Sequence, residues 1–412
     1  MKTASVPSRF KTIFVQVLLL VSFLCALCGQ LRAQEFKAVH PGVEYATIDY
    51  KLGGDPVKIN LLRLELTKVR LDVHHALDAA LGTERTSSIA LRKGAVAAIN
   101  AGFFRLDKSI FAGDAAGILM VDGEIMSESL NDRATMIIGN GPKETKVYFG
   151  HYQARVWVQF GEMEWDSSIE LSGVNRERKV SEAVLYRGSF GQKPARTDGD
   201  MELRLSRCSP RPFSGSSDAV TRCEEVEVVA VEAAARITNP QFVLSLDPQY
   251  VTKNSVGDKI RALESSRKRT AVIRTRINDG SSFFFPAGDV DITNGVPQLI
   301  KNGKIDITWE REKAGKSFVE MRHPRTAVAK LKDGKFLMIT VDGRQPGVSV
   351  GMTLPELAEY ILSLGAIDAM NLDGGGSTTM FLDGKVINTP SDKDGERKVS
   401  DAIVVTLRRN TR

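Results

Sequence analysis

The sequence predicts an α+β fold, a strand-rich mixed-sheet single catalytic domain with few helices. Three observations carry that expectation. Short runs rich in β-branched and aromatic residues recur at Val69–His75, Val147–Phe149, Phe336–Val341 and Ala402–Leu407. Asp-Gly pairs suited to tight hairpins stand at Asp122-Gly123, Asp333-Gly334 and Asp383-Gly384. Helical character is clear in one segment, Leu354–Leu364.

The first residues stand apart from this pattern. Lys2, Arg9 and Lys11 precede an apolar run, Ile13–Gly29, that only Gln16 interrupts, and Ala33 follows as a small residue at a cleavage point. This is the layout of a secretory signal peptide over residues 1–33. It predicts a secreted or periplasmic protein with no stable membrane span after cleavage, or a membrane anchor if the segment stays uncleaved. Its removal takes away Lys2, Arg9, Lys11 and Arg32 and no acid, so the net charge falls from +6 to +2. No run of Lys and Arg then remains that would suit a nucleic acid. Two of the four cysteines remain, Cys208 and Cys223, around a short polar stretch. In an oxidising compartment they are expected to pair, at a gain of about 3 kcal/mol for so short a loop. No Cys/His spacing suits zinc, and no cofactor is expected.

Residues 34–412 read as the catalytic domain. Within it, TLPELAEYILSLG has Thr353 and Glu356 as a capping box and Pro355 in the first turn. Leu354, Leu357, Ala358, Ile361 and Leu362 form an apolar face, and Gly365 ends the helix. Ala366–Asp373 then has the length of a strand, with Ile367, Ala369, Asn371 and Asp373 on one face. Thr378–Leu382 and Lys385–Asn388 read as a hairpin around Asp383-Gly384. Between them lie three glycines, Gly374–Gly376. A turn needs one or two, so the third suggests close approach of bare backbone to a ligand.

Four further stretches carry polar residues at the ends of apolar runs. They are AAINAGFF with Asn100, GVPQLIKNGK from Gly295, MRHPRTAVA with Arg322, His323 and Arg325, and ITVDGRQPG with Asp342 and Arg344. Each alone has an ordinary explanation as a turn, a solvated charge or a structural histidine.

Together, Asn100-Ala-Gly-Phe-Phe, Gly295-Val-Pro-Gln-Leu, His323-Pro-Arg-Thr-Ala, Val341-Asp-Gly-Arg and Asn371-Leu-Asp-Gly-Gly-Gly-Ser-Thr-Thr-Met resemble the phosphodiester glycosidase family. The central stretch Asn175–Thr197 and the closing stretch Glu396–Val405 resemble it as well. The resemblance implies hydrolysis of the bond between a sugar's anomeric carbon and phosphate, in a glycan or glycoconjugate carrying a sugar-1-phosphodiester. On that reading Asp373 acts at the anomeric centre as base or nucleophile, with Asp342 as second candidate, and Asn100 orients sugar or water. Arg325 and Arg344 offer forks of donors to the phosphate, beside His323. Gly374, Gly375 and Gly376 would present backbone N–H groups as an anion nest, with hydroxyls from Ser377 and Thr379. Two other readings use the same residues: a metal-dependent phosphodiesterase with Asp342, Asp373 and Asp368 as oxygen ligands, and a non-catalytic envelope glycan-binding protein.

Overall fold

Four large sheets dominate the computed structural model, which describes residues 35–161, 168–188, 201–211, 218–230, 239–267, 269–278 and 289–408. The signal-peptide expectation falls on residues 1–33, outside the described residues. Residues Ala38–Arg412 form one compact unit. Its strand content and few helices are those of the α+β class expected from the sequence.

Two sheets position the site. One runs in the order Val43–Leu52, Asp55–Leu64, Phe336–Val341, Arg325–Leu331, Ala366–Asn371, Gln298–Lys301, Lys304–Ile305, with antiparallel neighbours over this span. The other runs Lys385–Val386, Met380–Leu382, Ala97–Asn100, Asp401–Leu407, Val69–His75. A third sheet contains Ala134–Asn140 and Asp289–Gly295. A fourth is built from the middle of the chain, and its parallel pair, Gly173–Val174 with Ala183–Arg187, makes the architecture mixed.

Leu62, Val73, Ile99, Met136, Met338 and Ile403 from the first three sheets meet in one core. Burying each such side chain is worth about 1.5–3 kcal/mol. A one-residue slip would turn a whole strand's apolar set outward, so this core also sets the register. A second core joins Ile137 and Ile292 of the third sheet to Val158, Leu203 and Ile273 of the fourth.

The helix spans Leu354–Ser363, with both halves of the Thr353–Glu356 capping box formed and Gly365 at φ 88° just beyond it. Its buried face takes Tyr360 where the sequence pattern pointed to Leu362, which is half-buried. The Asp122-Gly123 and Asp383-Gly384 turns have both residues at positive φ (50° and 77°, 48° and 81°), the conformation that suits a twisted hairpin. Cys208 and Cys223 are disulfide-bonded across adjacent strands. Among the described residues no helix is long and apolar enough to cross a membrane.

Candidate active site

Asn100 ends the strand Ala97–Asn100 and is fully buried. Its Nδ2 donates to the Asp373 carbonyl at 2.6 Å, and its Oδ1 accepts from the Thr379 N–H at 3.1 Å and the Thr326 hydroxyl at 2.9 Å. One amide therefore clamps both ends of the 373–379 loop. The sequence suggested that Asn100 orients sugar or water; with both polar atoms taken by the protein, it instead orients the loop that carries Asp373. The Gly295 motif docks on the same segment. Asn371 Nδ2 donates to the Val296 carbonyl at 2.6 Å, and any side chain at Gly295 would overlap the Asn371 carbonyl.

Each of the three glycines has its own steric reason. A Cβ on Gly374 would lie 2.8 Å from the Pro324 carbonyl, in a segment where the Gly375 N–H donates to that same carbonyl at 2.9 Å. Gly375 has φ 60°, and the Arg344 guanidinium lies across it, 3.1 Å from where a Cβ would stand. At Gly376 a Cβ would overlap the Asp392–Arg397 ion pair, whose bonds are 2.7 and 3.0 Å long. The close approach predicted for bare backbone is real, but protein groups make it. The nest is also partly used: the Ser377 and Thr378 N–H groups donate to Gly374 and Gly375 carbonyls in a 3₁₀ turn.

Asp373 stands at the mouth of this loop, half-buried. Burial pushes its carboxyl up to about 6, with the nearby Asp401 carboxylate adding to the rise; the Ser377 hydroxyl, Arg397 and the Gly374 N–H pull the other way. Buried polar atoms with no protein partner occur on the loop at Thr378 Oγ1 and Thr379 Oγ1, just before it at Asn371 Oδ1, and at Asn294 Oδ1 and Arg133 Nε. Buried polar groups are satisfied nearly everywhere in folded proteins. The two threonine hydroxyls of the loop are therefore free to bond a ligand or water.

The remaining predicted residues divide. Arg344 is exposed, sits at φ 61°, and places a guanidinium N–H 3.4 Å from His323 Nδ1. That ring nitrogen faces a cation, and burial together with Arg325 and Arg344 lowers the imidazole below its ordinary range. Arg325 departs from the expected phosphate fork. It is buried, donates at 2.8 Å to the carbonyls of Met352, Phe318 and Met321, and lies 5.0 Å from the centre of the Phe318 ring. It anchors the backbone beneath the site. Asp342 is likewise buried; its oxygens accept from Asn388 Nδ2 and the Thr389 N–H, each at 3.1 Å. Asn388 in turn donates to the Thr378 carbonyl at 3.0 Å, so Asp342 braces the loop from below. Asp368 lies away from this group, facing Lys301 at 3.5 Å and the Asn302 N–H at 3.4 Å. The three carboxylates of the metal reading are not brought together.

Three residues near Asp373 were not singled out from the sequence. Asp401 is buried and accepts from the Gly102 N–H at 3.2 Å, the Thr293 hydroxyl at 3.0 Å and the Ser400 hydroxyl at 2.6 Å. Arg397 lies within electrostatic reach of Asp373. Both belong to the Glu396–Val405 stretch, where the resemblance was the only signal. Arg133 lies 5.5 Å from the centre of the Phe103 ring, and both Glu312 and Asp373 act on its charge. Phe103 meets Phe318 edge to face at 6.0 Å, so two arginine–aromatic stacks adjoin beside the loop.

Residues 228–406 match the family model described as phosphodiester glycosidase. The mouse N-acetylglucosamine-1-phosphodiester alpha-N-acetylglucosaminidase is 35% identical over 200 residues, 44% of this chain and 38% of that protein. Its bovine counterpart is 37% identical over 112 residues, 25% of this chain and 21% of that one. The matched stretches thus span well under half of these curated relatives. A crystal structure of a Synechocystis protein aligns over 92% of this chain and 65% of its own with a TM-score of 0.65 at 18% identity, a likeness of fold. The segment that matches the phosphodiester glycosidase model holds Asp342, Arg344, Asp373, Arg397 and Asp401, and the family it is similar to there is the one the ordered motifs resemble.

Proposed function

We propose that the chain hydrolyses a glycosyl-1-phosphodiester at the bond between the anomeric carbon and the phosphate oxygen. The observation that carries this reading is one carboxyl, Asp373, poised near pH 6 among arginines and unpartnered buried hydroxyls. Breaking that bond releases a phosphomonoester whose last pKa is about 6, so the leaving oxygen needs little protonation. The two carboxyls of an ordinary glycosidase can then reduce to one, with cations stabilising the departing phosphate. At neutral pH Asp373 is mostly ionised. It takes a proton from water as the water oxygen bonds to the anomeric carbon, or it bonds to that carbon itself, while the bond to phosphate breaks.

Arg344 is the exposed cation at the loop and the natural first contact for the phosphate; Arg133 and Arg397 add positive potential behind it. Asn100, Asp342 and Arg325 act through position: they hold the loop and its neighbours. The substrate on this reading is a glycan or glycoconjugate, and the signal-peptide pattern of residues 1–33 supports a secreted or periplasmic location, or a membrane anchor if it stays uncleaved. The printed names of the mouse and bovine relatives make an N-acetylglucosaminyl phosphodiester the first compound to try. Incubation with methyl N-acetyl-α-glucosaminyl phosphate should release N-acetylglucosamine and methyl phosphate, and Asp373→Asn should abolish release. A folded chain inert towards α-linked sugar phosphodiesters, or an Asn variant of normal activity, overturns the reading.

A further inference from the structure

A cleft of about 1220 Å³ opens in the fourth sheet, lined by residues remote from the Asp373 loop. Its walls are Phe160 and Gly161, the paired strands Met201–Arg211 and Asp218–Ala230, the last turn of the helix Val256–Ser265, and Ser266, Arg267, Arg269 and Thr270 beyond it. Four arginines line it, Arg207, Arg222, Arg267 and Arg269, against two acids, Glu224 and Glu225. Among the described residues, Arg207, Arg222 and Arg267 form no ion pair; Arg269 donates to the Glu264 carbonyl at 3.1 Å. Exposed arginines usually find carboxylates where the chain supplies them, as Arg276 finds Asp218 on a neighbouring strand of this sheet at 2.8 and 2.9 Å.

Two features fix two of these arginines in place. Arg207 and Arg222 immediately precede the two cysteines of the disulfide, which locks their strands together. Arg207 also holds φ 52° inside a strand, a left-handed backbone that costs free energy for a residue with a Cβ and persists where surroundings impose it. Among its described lining residues the cleft carries more arginines than acids, and Arg forks suit phosphate and carboxylate oxygens. Its one aromatic, Phe160, is buried, so no ring is offered on which a nucleobase could stack.

We propose that this cleft binds an anionic glycan strand bearing phosphodiester charges, the class of polymer that a glycosyl-1-phosphodiester hydrolase would act on. The identity of that polymer as substrate rests on the proposed function; the binding does not. The test measures binding of the full chain to poly(glycerol phosphate), with dextran as neutral control and poly(dT) as a base-bearing polyanion. The poly(glycerol phosphate) should bind, weaken as salt rises, and lose about tenfold in affinity for each arginine replaced in Arg207→Gln/Arg222→Gln, as for a lost charge-assisted hydrogen bond. Arg267→Gln, beyond the disulfide-linked strands, should show the same single-residue loss if the double variant folds poorly. Turnover of the small methyl phosphodiester should be unchanged in all of them. Equal binding by the folded variants, equal retention of dextran, or tighter binding of poly(dT) overturns the proposal. Binding without turnover of the small substrate would reject the catalytic reading and leave the cleft standing.

Discussion

Asp373 has to be ionised to act, although its surroundings favour the neutral acid. Because burial lifts its carboxyl from 3.8 to about 6, turnover should rise with pH through about 6 and then level, as read from a pH–rate profile. The same shift has a consequence for stability. The folded state binds this proton more tightly than the unfolded chain does, so the contribution is fully present below pH 3.8 and is lost as pH rises through about 6. Asp373→Asn should therefore be more stable than the parent at pH 8, by about 3 kcal/mol at most, and no more stable at pH 3, measured by urea unfolding. An inactive variant that is also stabilised is the signature of a carboxylate kept for chemistry. Asn100 should behave in the opposite way. Asn100→Ala removes three buried hydrogen bonds and should lose about 2–4 kcal/mol together with activity, which unfolding and turnover assays on one preparation would separate from the Asp373 effect.

The 373–379 loop shows which features of an element can be read locally. The helix before it was legible because its capping box and apolar face depend on residues three and four apart. The hairpin after it was legible because Asp383-Gly384 alone specifies the turn. The three glycines announced an unusual loop, but the reasons for them lie elsewhere in the chain: at Pro324, at Arg344, and at Asp392 with Arg397. No spacing rule reports such neighbours. The steric reading makes a sharp prediction at Gly376. Gly376→Ala forces the Asp392–Arg397 pair to move, at a cost of about 1–3 kcal/mol, and should reduce turnover well beyond that expected from the fraction unfolded. Far-UV circular dichroism with turnover assays checks this; unchanged turnover would remove Arg397 from the site.

At the level of the molecule, the strand Ala97–Asn100 meets three later strands, Arg325–Leu331, Ala366–Asn371 and Met380–Leu382, because Arg325–Leu331 pairs with Ala366–Asn371 while Met380–Leu382 pairs with Ala97–Asn100. The ordered motifs exposed that convergence through family resemblance. Arg325 and Asp342 were recognisable as parts of it, but their burial and backbone partners, which decide between contact and support, depend on packing. Arg133 lay in none of the motifs, so nothing in the sequence pointed to it. The fourth sheet is set apart from this centre, and the disulfide belongs to it. Reduction should lower stability by about 3 kcal/mol while leaving turnover of a small substrate by the still-folded protein unchanged. Thermal unfolding and turnover with and without reductant read both. The central claim, cleavage at the anomeric carbon, is tested most directly by hydrolysing methyl N-acetyl-α-glucosaminyl phosphate in oxygen-18 water. Label in the N-acetylglucosamine is the predicted result; label in the methyl phosphate means attack at phosphorus and contradicts it.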